Sequence, residues 1–421
     1  MGRILGIRHR RKKTVEGEPR PTQVVIVDGV KDAIYNLPDD QAELDFVFGL
    51  FPIRYRATTP DDEAGDFHSH QLKWRKLDPA TEDPEKIKVD HVKKSGKKYL
   101  VLDKVPCDFA GPRRGDVVAL PLGGSGDMLS YALVRRAEEI GAAVVRLPPF
   151  RLKVERGDED KDEDVRLIAR LVAEKPELFY PIQSRDKQVI LMRELFRERI
   201  NAMKARIAGE QQLYQVFVGK IFTNVSPEAE IEKRFEEEKA NSQILQNLLT
   251  LEKEANGRLF SAIEDLDIYQ HVFAPIEGVG PQTAARVLAG VVDIRRFPDR
   301  EKFVAFCGVS PGQPDGRFRR RRRGEIGNWS PAVRQGLWLI VADQANKRPD
   351  SIWGQRLRQI KAELRAKHPE VVIDNGKRRY TDGHIHKMAI WKTAVKLARY
   401  IYREWSALEN QAGGESQVAV A

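Results

Sequence analysis

The chain has 421 residues, which at roughly 150 per domain suggests two or three domains. Its 41% hydrophobic residues are enough for packed cores, so a wholly disordered chain is excluded. The 72 basic side chains against 62 acidic ones leave a net charge of +10, which favours a polyanionic partner over a neutral metabolite.

In chain order, residues 1–21 are rich in Arg and Lys: Arg8, Arg10, Arg11, Lys12 and Lys13. No apolar stretch follows, which argues against a secretory signal. The segment reads either as a basic arm touching phosphates or as a solvated tail. T-Q-V-V-I-V-D, Thr22–Asp28, predicts a buried strand with a carboxylate at its C-terminal end. Gly29 to Tyr35 predicts a turn and a second strand. Residues 57–97 are polar and proline-bearing, and read as an insertion or an exposed subdomain edge. Tyr99 to Leu102 is a strand candidate. Asp116 to Leu122, a glycine turn, the helical pattern Met128 to Ile140 and the strand Ala143 to Leu147 form a strand–helix–strand unit with parallel strands. The N-terminal domain is therefore predicted to be α/β.

Glu155 to Asp164 holds seven carboxylates in ten residues and runs into an amphipathic helix, Val165 to Ala173. From 186 to 270 apolar residues recur at mostly three- to five-residue intervals in two stretches, separated by Pro227 and the T-N-V-S turn before it. This predicts an antiparallel coiled-coil hairpin, a spacer or a homo-oligomerisation arm. Residues 271–410 read as a mostly helical domain, and 411–421 as a disordered tail. The first domain spans 22–185.

I-E-G-V-G-P-Q-T-A, Ile276 to Ala284, resembles a helix–hairpin–helix element. A G-V-G turn lets main-chain N–H groups approach a phosphate, and the next helix N-terminus adds partial positive charge. Gly278, Val279, Gly280 and Thr283 are the candidate phosphate contacts. Downstream, Arg317, Arg319, Arg320, Arg321, Arg322 and Arg323 crowd around Phe318. Like charges at that density call for phosphate counter-ions, which arginine binds bidentately. Asp28 and the acidic cluster Asp158 to Asp164 form a candidate constellation for a hard divalent cation. The alternating sets Asp66, His68, His70 and Asp382, His384, His386 fall short of a zinc site, and G-G-S-G after Leu122 does not match a dinucleotide loop. Two cysteines, Cys107 and Cys307, cannot build a disulfide framework, and no apolar run approaches the ~20 residues that span a bilayer. A cytoplasmic protein without a membrane partner is expected.

The layout resembles insertion-sequence transposases of the DEDD class, the IS-one-ten family. The resemblance rests on I-E-G-V-G-P-Q-T-A-A-R-V-L-A, then D-I-R-R-F-P, then F-V-A-F-C-G-V-S-P, then G-E-I-G-N-W-S-P-A-V-R-Q, in that order from Ile276 to Gln335. V-D-G-V-K-D (Val27 to Asp32) and D-V-R-L-I-A-R-L (Asp164 to Leu171) are similar to its first and last N-terminal motifs. The resemblance implies an RNase H-like α/β domain, a coiled-coil hairpin and a C-terminal transposase domain acting in DNA recombination. It implies that Asp28, Asp162 and Asp164 hold Mg2+, that a serine attacks the phosphodiester, and that a structured non-coding RNA is a further partner beside DNA. Three departures stand out. Leu120 falls where the family has a glutamate. Lys161 falls where the third motif has its partner aspartate, with Asp162 one residue away. Gly312 to Arg317 contains no serine, so Ser310, slightly early, or Ser330, late, would be a substitute, and Ser310 is taken as the stand-in nucleophile. The alternative reading is a catalytically inactive nucleic-acid-binding protein derived from such an enzyme.

Overall fold

A computed structural model describes residues 2–10, 19–78, 81–96, 98–123, 126–224, 230–310, 329–374 and 377–414. The chain divides into two compact units, Met1–Ile182 and Gln183–Ala421.

The first unit is built on strands β1 (Ile4–Arg8), β2 (Thr22–Asp28) and β3 (Lys31–Leu37), followed by helix α1 (Asp40–Phe48). An inserted sheet comprises β4 (Phe51–Ala57), β5 (Lys73–Lys76), β6 (Val92–Ser95) and β7 (Lys98–Ala110). Then come β8 (Val117–Pro121), α2 (Asp127–Ile140), β9 (Ala143–Leu147), α3 (Pro149–Arg156), α4 (Asp164–Glu174) and the short β10 (Tyr180–Pro181). The six-stranded sheet runs β10-β9-β8-β1-β2-β3. Strand β2 is antiparallel to both β1 and β3, whereas β8 is parallel to both β1 and β9.

Side-chain alternation along each strand makes two faces. Leu5, Ile7, Val24, Ile26, Val118 and Leu120 join one core cluster with α1 and α2. Val25 packs with Val165 and Ala169 of α4 on the other face, and Ala119 packs there with Leu167 and Ile168. Gly6 permits this contact. A Cβ there would lie 2.4 Å from the Val165 carbonyl oxygen, so a side chain would lever α4 off the sheet. The insertion has its own small core of Leu72, Leu102 and Val105.

The reading of residues 1–21 as a basic arm is corrected here. Ile4–Arg8 is an interior strand of the sheet, paired with β2 on one side and β8 on the other. Its I-L-G-I core is buried like any interior strand, and the basic residues around it obscured a short apolar run.

The second unit opens with α5 (Ser184–Thr223), which packs against α7 (Gln243–Glu264) and α6 (Ile231–Asn241). Ion pairs Arg258–Glu198, Arg206–Glu252 and Lys239–Glu210 order the two arms antiparallel. The return arm, predicted as one long helix, is two. Ser242 interrupts it and its side chain accepts from the Leu245 N–H. The unit continues through α8 (Pro281–Val291), α9 (Arg300–Phe306), α10 (Pro331–Leu339) and α11 (Ile352–Lys367). A small hairpin, β11 (Val372–Asp374) and β12 (Lys377–Arg379), precedes α12 (Asp382–Gly414). The base of the hairpin packs on α8, and α12 packs on α9, α10 and α11. The segments 186–270 and 271–410 thus share one compact unit. Of the tail, 411–414 continues α12 and 415–421 lies outside the described residues.

A buried ion cluster ties this unit together. Arg295 contacts Asp186 at the start of α5 and Asp293, both at 2.6 Å, and Arg185 contacts Glu409 of α12 at 2.5 Å. Burial opposes the charge on Arg295, but its carboxylate partners win and hold it charged. No helix among the described residues is long and apolar enough to cross a membrane.

Candidate nucleic-acid interface and carboxylate cluster

In the first unit, Asp162 lies in the short turn Lys161–Glu163 and Asp164 is the first residue of α4. Arg8, at the C-terminal end of β1 and only 7% exposed, donates from Nη1 to Asp162 Oδ1 at 2.7 Å. The Arg156 guanidinium lies 2.8 Å from Asp164. Burial raises the Asp164 carboxyl above the ordinary aspartate range, opposed by Arg156 and Arg8.

Asp28 is elsewhere. Arg8 pairs with Gln23 across the β1–β2 ladder, and Asp28 lies five residues further along β2. At about 3.4 Å per residue that is roughly 17 Å, at the opposite end of the sheet. Asp28 is exposed there, opposite Lys31 of β3. The expected trio Asp28, Asp162 and Asp164 is therefore not brought together. Two of its members already take guanidinium partners, so these residues do not fit a shared Mg2+. Among the described residues no group of three His, Cys, Asp or Glu side chains is placed to hold a metal ion. Leu120, where the resemblance would place a glutamate, is buried in the core. Sequence reasoning missed Arg8 because it missed β1; the signal was the apolar run that ends on it.

The histidine pairs have ordinary surroundings. His70 Nε2 lies 2.7 Å from the Asp45 carboxylate. Asp382, His384 and His386 start α12, so they do not alternate along a strand. His384 Nδ1 accepts from the Tyr380 N–H at 2.9 Å.

In the second unit, the 276–284 turn has the backbone its glycines predict. Gly278 adopts φ +83°, in the left-handed region. Val279 is buried and its N–H donates to the Ile276 carbonyl at 2.9 Å. Gly280 is extended and precedes Pro281, the first residue of α8. The Thr283 N–H donates to the Gly280 carbonyl at 3.1 Å. A Cβ on Gly278 would lie 2.6 Å from Nη1 of Arg348. Arg348, held by Gln344 at 2.7 Å, therefore covers the turn with a cation. Its distance along the chain hid it from sequence reasoning.

Arg317, Arg319, Arg320, Arg321, Arg322 and Arg323 lie outside the described residues, but the ends of their segment are anchored. The Ser330 N–H donates to the Phe306 carbonyl at 2.8 Å. Trp329 covers Gly308, with ring atoms 2.9–3.2 Å from where a Cβ would stand. The Arg334 guanidinium sits 4.9 Å from the Trp329 ring and 4.6 Å from the Trp391 ring. Ser310 is half-buried in this unit, while the carboxylates belong to the other. Ser330 caps α10, accepting from the Val333 N–H.

Residues 270–352 match the Transposase IS116/IS110/IS902 family. This transposase segment takes in the glycine turn, α8, α9, the anchors of the arginine stretch, α10 and the first residue of α11. Arg348 and Arg334 also fall within it. The expected resemblance is thus shown over that segment, and the match supports a transposase-like role. No curated protein matches the chain.

Proposed function

We propose that the protein is a transposase-like protein of DNA recombination that holds DNA phosphates through the glycine turn and the arginine-rich stretch. The carrying observation is the transposase-family match, which spans both elements. Gly278, Val279, Gly280 and Thr283 frame an α-helix N-terminus, a setting that favours anions, and Arg348 adds a cation above it. The strand order β3-β2-β1-β8-β9, three antiparallel and then two parallel, supports an RNase H-like reading of the first unit. The exposed apolar residues Phe222, Ile244 and Leu251 on the helical hairpin support homo-oligomerisation through it, as a coiled coil. A structured RNA is a further partner on the family reading, and the cytoplasm is the expected compartment.

Fluorescence anisotropy of duplex DNA at several salt concentrations tests this. Binding should weaken steeply with salt. Replacing Arg319 to Arg323 by serine should flatten the slope by several units of log K per log salt, at about 0.9 per lost phosphate contact. An unchanged slope removes the arginine stretch from the interface.

A second reading, a catalytically inactive descendant that binds without cutting, is favoured by the Arg8–Asp162 and Arg156–Asp164 pairs. An active recombinase would leave a protein–DNA adduct that Ser310→Ala abolishes. The inactive reading expects none, and expects Mn2+ not to raise the melting temperature of the full chain.

A further inference from the structure

A groove of about 1020 Å³ opens in the second unit beside the glycine turn. Its walls come from the segment before the turn, from α9, from the start of α11 and from α12. Five basic and three acidic side chains line it. The acids are largely engaged. Glu301 accepts from Nε and Nη2 of Arg399, each at 3.0 Å, and also pairs with Arg300, and Asp299 caps α9. Three other cations are less compensated. Lys396 and Arg356 have no carboxylate within salt-bridge distance among the described residues, and Arg403 pairs only with its neighbour Glu404. On α12, Lys396, Tyr400 and Arg403 stand at i, i+4 and i+7, a spacing that puts all three on one face.

Between these cations lie flat, partly exposed rings. Tyr400 meets Trp353 edge-on at 5.6 Å, and the Arg403 guanidinium lies 5.4 Å from the Tyr400 ring. Ile352, 77% exposed, extends the apolar floor. Aromatic platforms bordered by cations suit a chain that carries one phosphate per stackable base. Paired bases keep their faces inside the duplex, so a double helix cannot use these rings.

We propose that this groove binds a single-stranded segment of nucleic acid, with unpaired bases on Tyr400, Trp353 and Ile352 and phosphates on Arg356, Lys396 and Arg403. The inference rests on the nucleic-acid reading above and deepens it, since the groove continues from Pro275, Ile276 and Glu277 into the turn. It separates two jobs within one unit. The turn grips a backbone of any structure, and the groove selects unpaired bases.

The test uses the full chain and fluorescein-labelled dT15, rU15 and a 15-base-pair duplex in anisotropy titrations. The double variant Lys396→Glu/Arg403→Glu should lose tenfold or more of its affinity for a single strand while duplex binding changes little. Tyr400→Leu should lose roughly tenfold for the single strand, and Tyr400→Phe should keep it, because a phenyl ring still stacks. The tighter of dT15 and rU15 names the sugar. Single-strand affinity unchanged in the double variant and in Tyr400→Leu, with duplex binding intact, overturns the groove assignment alone. Equal competition by polyglutamate would also overturn it and point to an acidic peptide. A parental protein that binds none of the three oligonucleotides overturns the broader reading.

Discussion

Asp164 gives the first unit a pH dependence of definite sign. Burial raises its carboxyl in the folded state, with Arg156 and Arg8 only partly offsetting the rise. A folded acid with a raised pKa contributes stability that is complete below its unfolded value, about 3.9, and is lost as pH rises through the folded value. Ionising Asp164 therefore costs the unit stability over the interval above its unfolded value. Asp164→Asn should gain on the parental protein across that interval. Melting temperatures of both at pH 4 and pH 7 measure it, and a difference that stays constant would refute the linkage. Glu43 behaves oppositely. Burial alone would raise it, but hydrogen bonds from His9 and Thr22 outweigh that and pull it below the ordinary glutamate range. The contrast shows that the balance between burial and partners decides the sign.

At the level of elements, the transposase segment depends on two helices lying very close. Gly290 on α8 faces Val333 of α10, where a Cβ would stand 2.4 Å from Val333 Cγ2. Gly336 on α10 faces Val287, where the corresponding gap is 2.9 Å. Ser330 lies beside Gly290, so the anchor of the arginine stretch sits at the C-terminal end of α8 and the glycine turn at its N-terminal end. An 11-residue helix separates them by roughly 16 Å. Gly290→Ala should cost about 1–3 kcal/mol by overpacking, and Gly290→Ala/Val333→Ala should recover part of it. Urea denaturation of the parental protein, both single variants and the double variant checks this, and additive losses in the double variant would place the strain elsewhere. Just beyond α8, Val292 takes φ +64° and the Asp293 N–H donates to the Val291 carbonyl at 2.7 Å. This tight three-residue turn is strained for a β-branched residue. It brings Asp293 to the Arg295 cluster, which over-determines the turn.

Across the whole molecule, the N-terminal residues matter more than their composition suggests. β1 joins the antiparallel half of the sheet to the parallel half, and Leu5 and Ile7 are fully buried. Deleting residues 2–10 should unfold the first unit rather than trim a tail. Limited proteolysis should then leave a protected fragment beginning near Gln183. Continued protection of residues 22–182 would contradict this.

Much of the local structure was legible in the sequence. Runs of β-branched residues marked β2 and β9 to the residue, and Gly141, in the left-handed region, ended α2 where the periodicity stopped. The order of motifs from Ile276 to Gln335 pointed to the transposase family that residues 270–352 match. Local backbone preference and side-chain periodicity act over a few residues, so they can be read from a string. Strand partnership cannot, because it is settled by which edges bury each other. Only the tertiary structure put β1 between β2 and β8, sent Asp28 to the far end of the sheet, and set Arg8 and Arg156 against Asp162 and Asp164. Arg348 over Gly278, and the meeting of Tyr400 with Trp353, likewise arise from packing between helices distant in the chain.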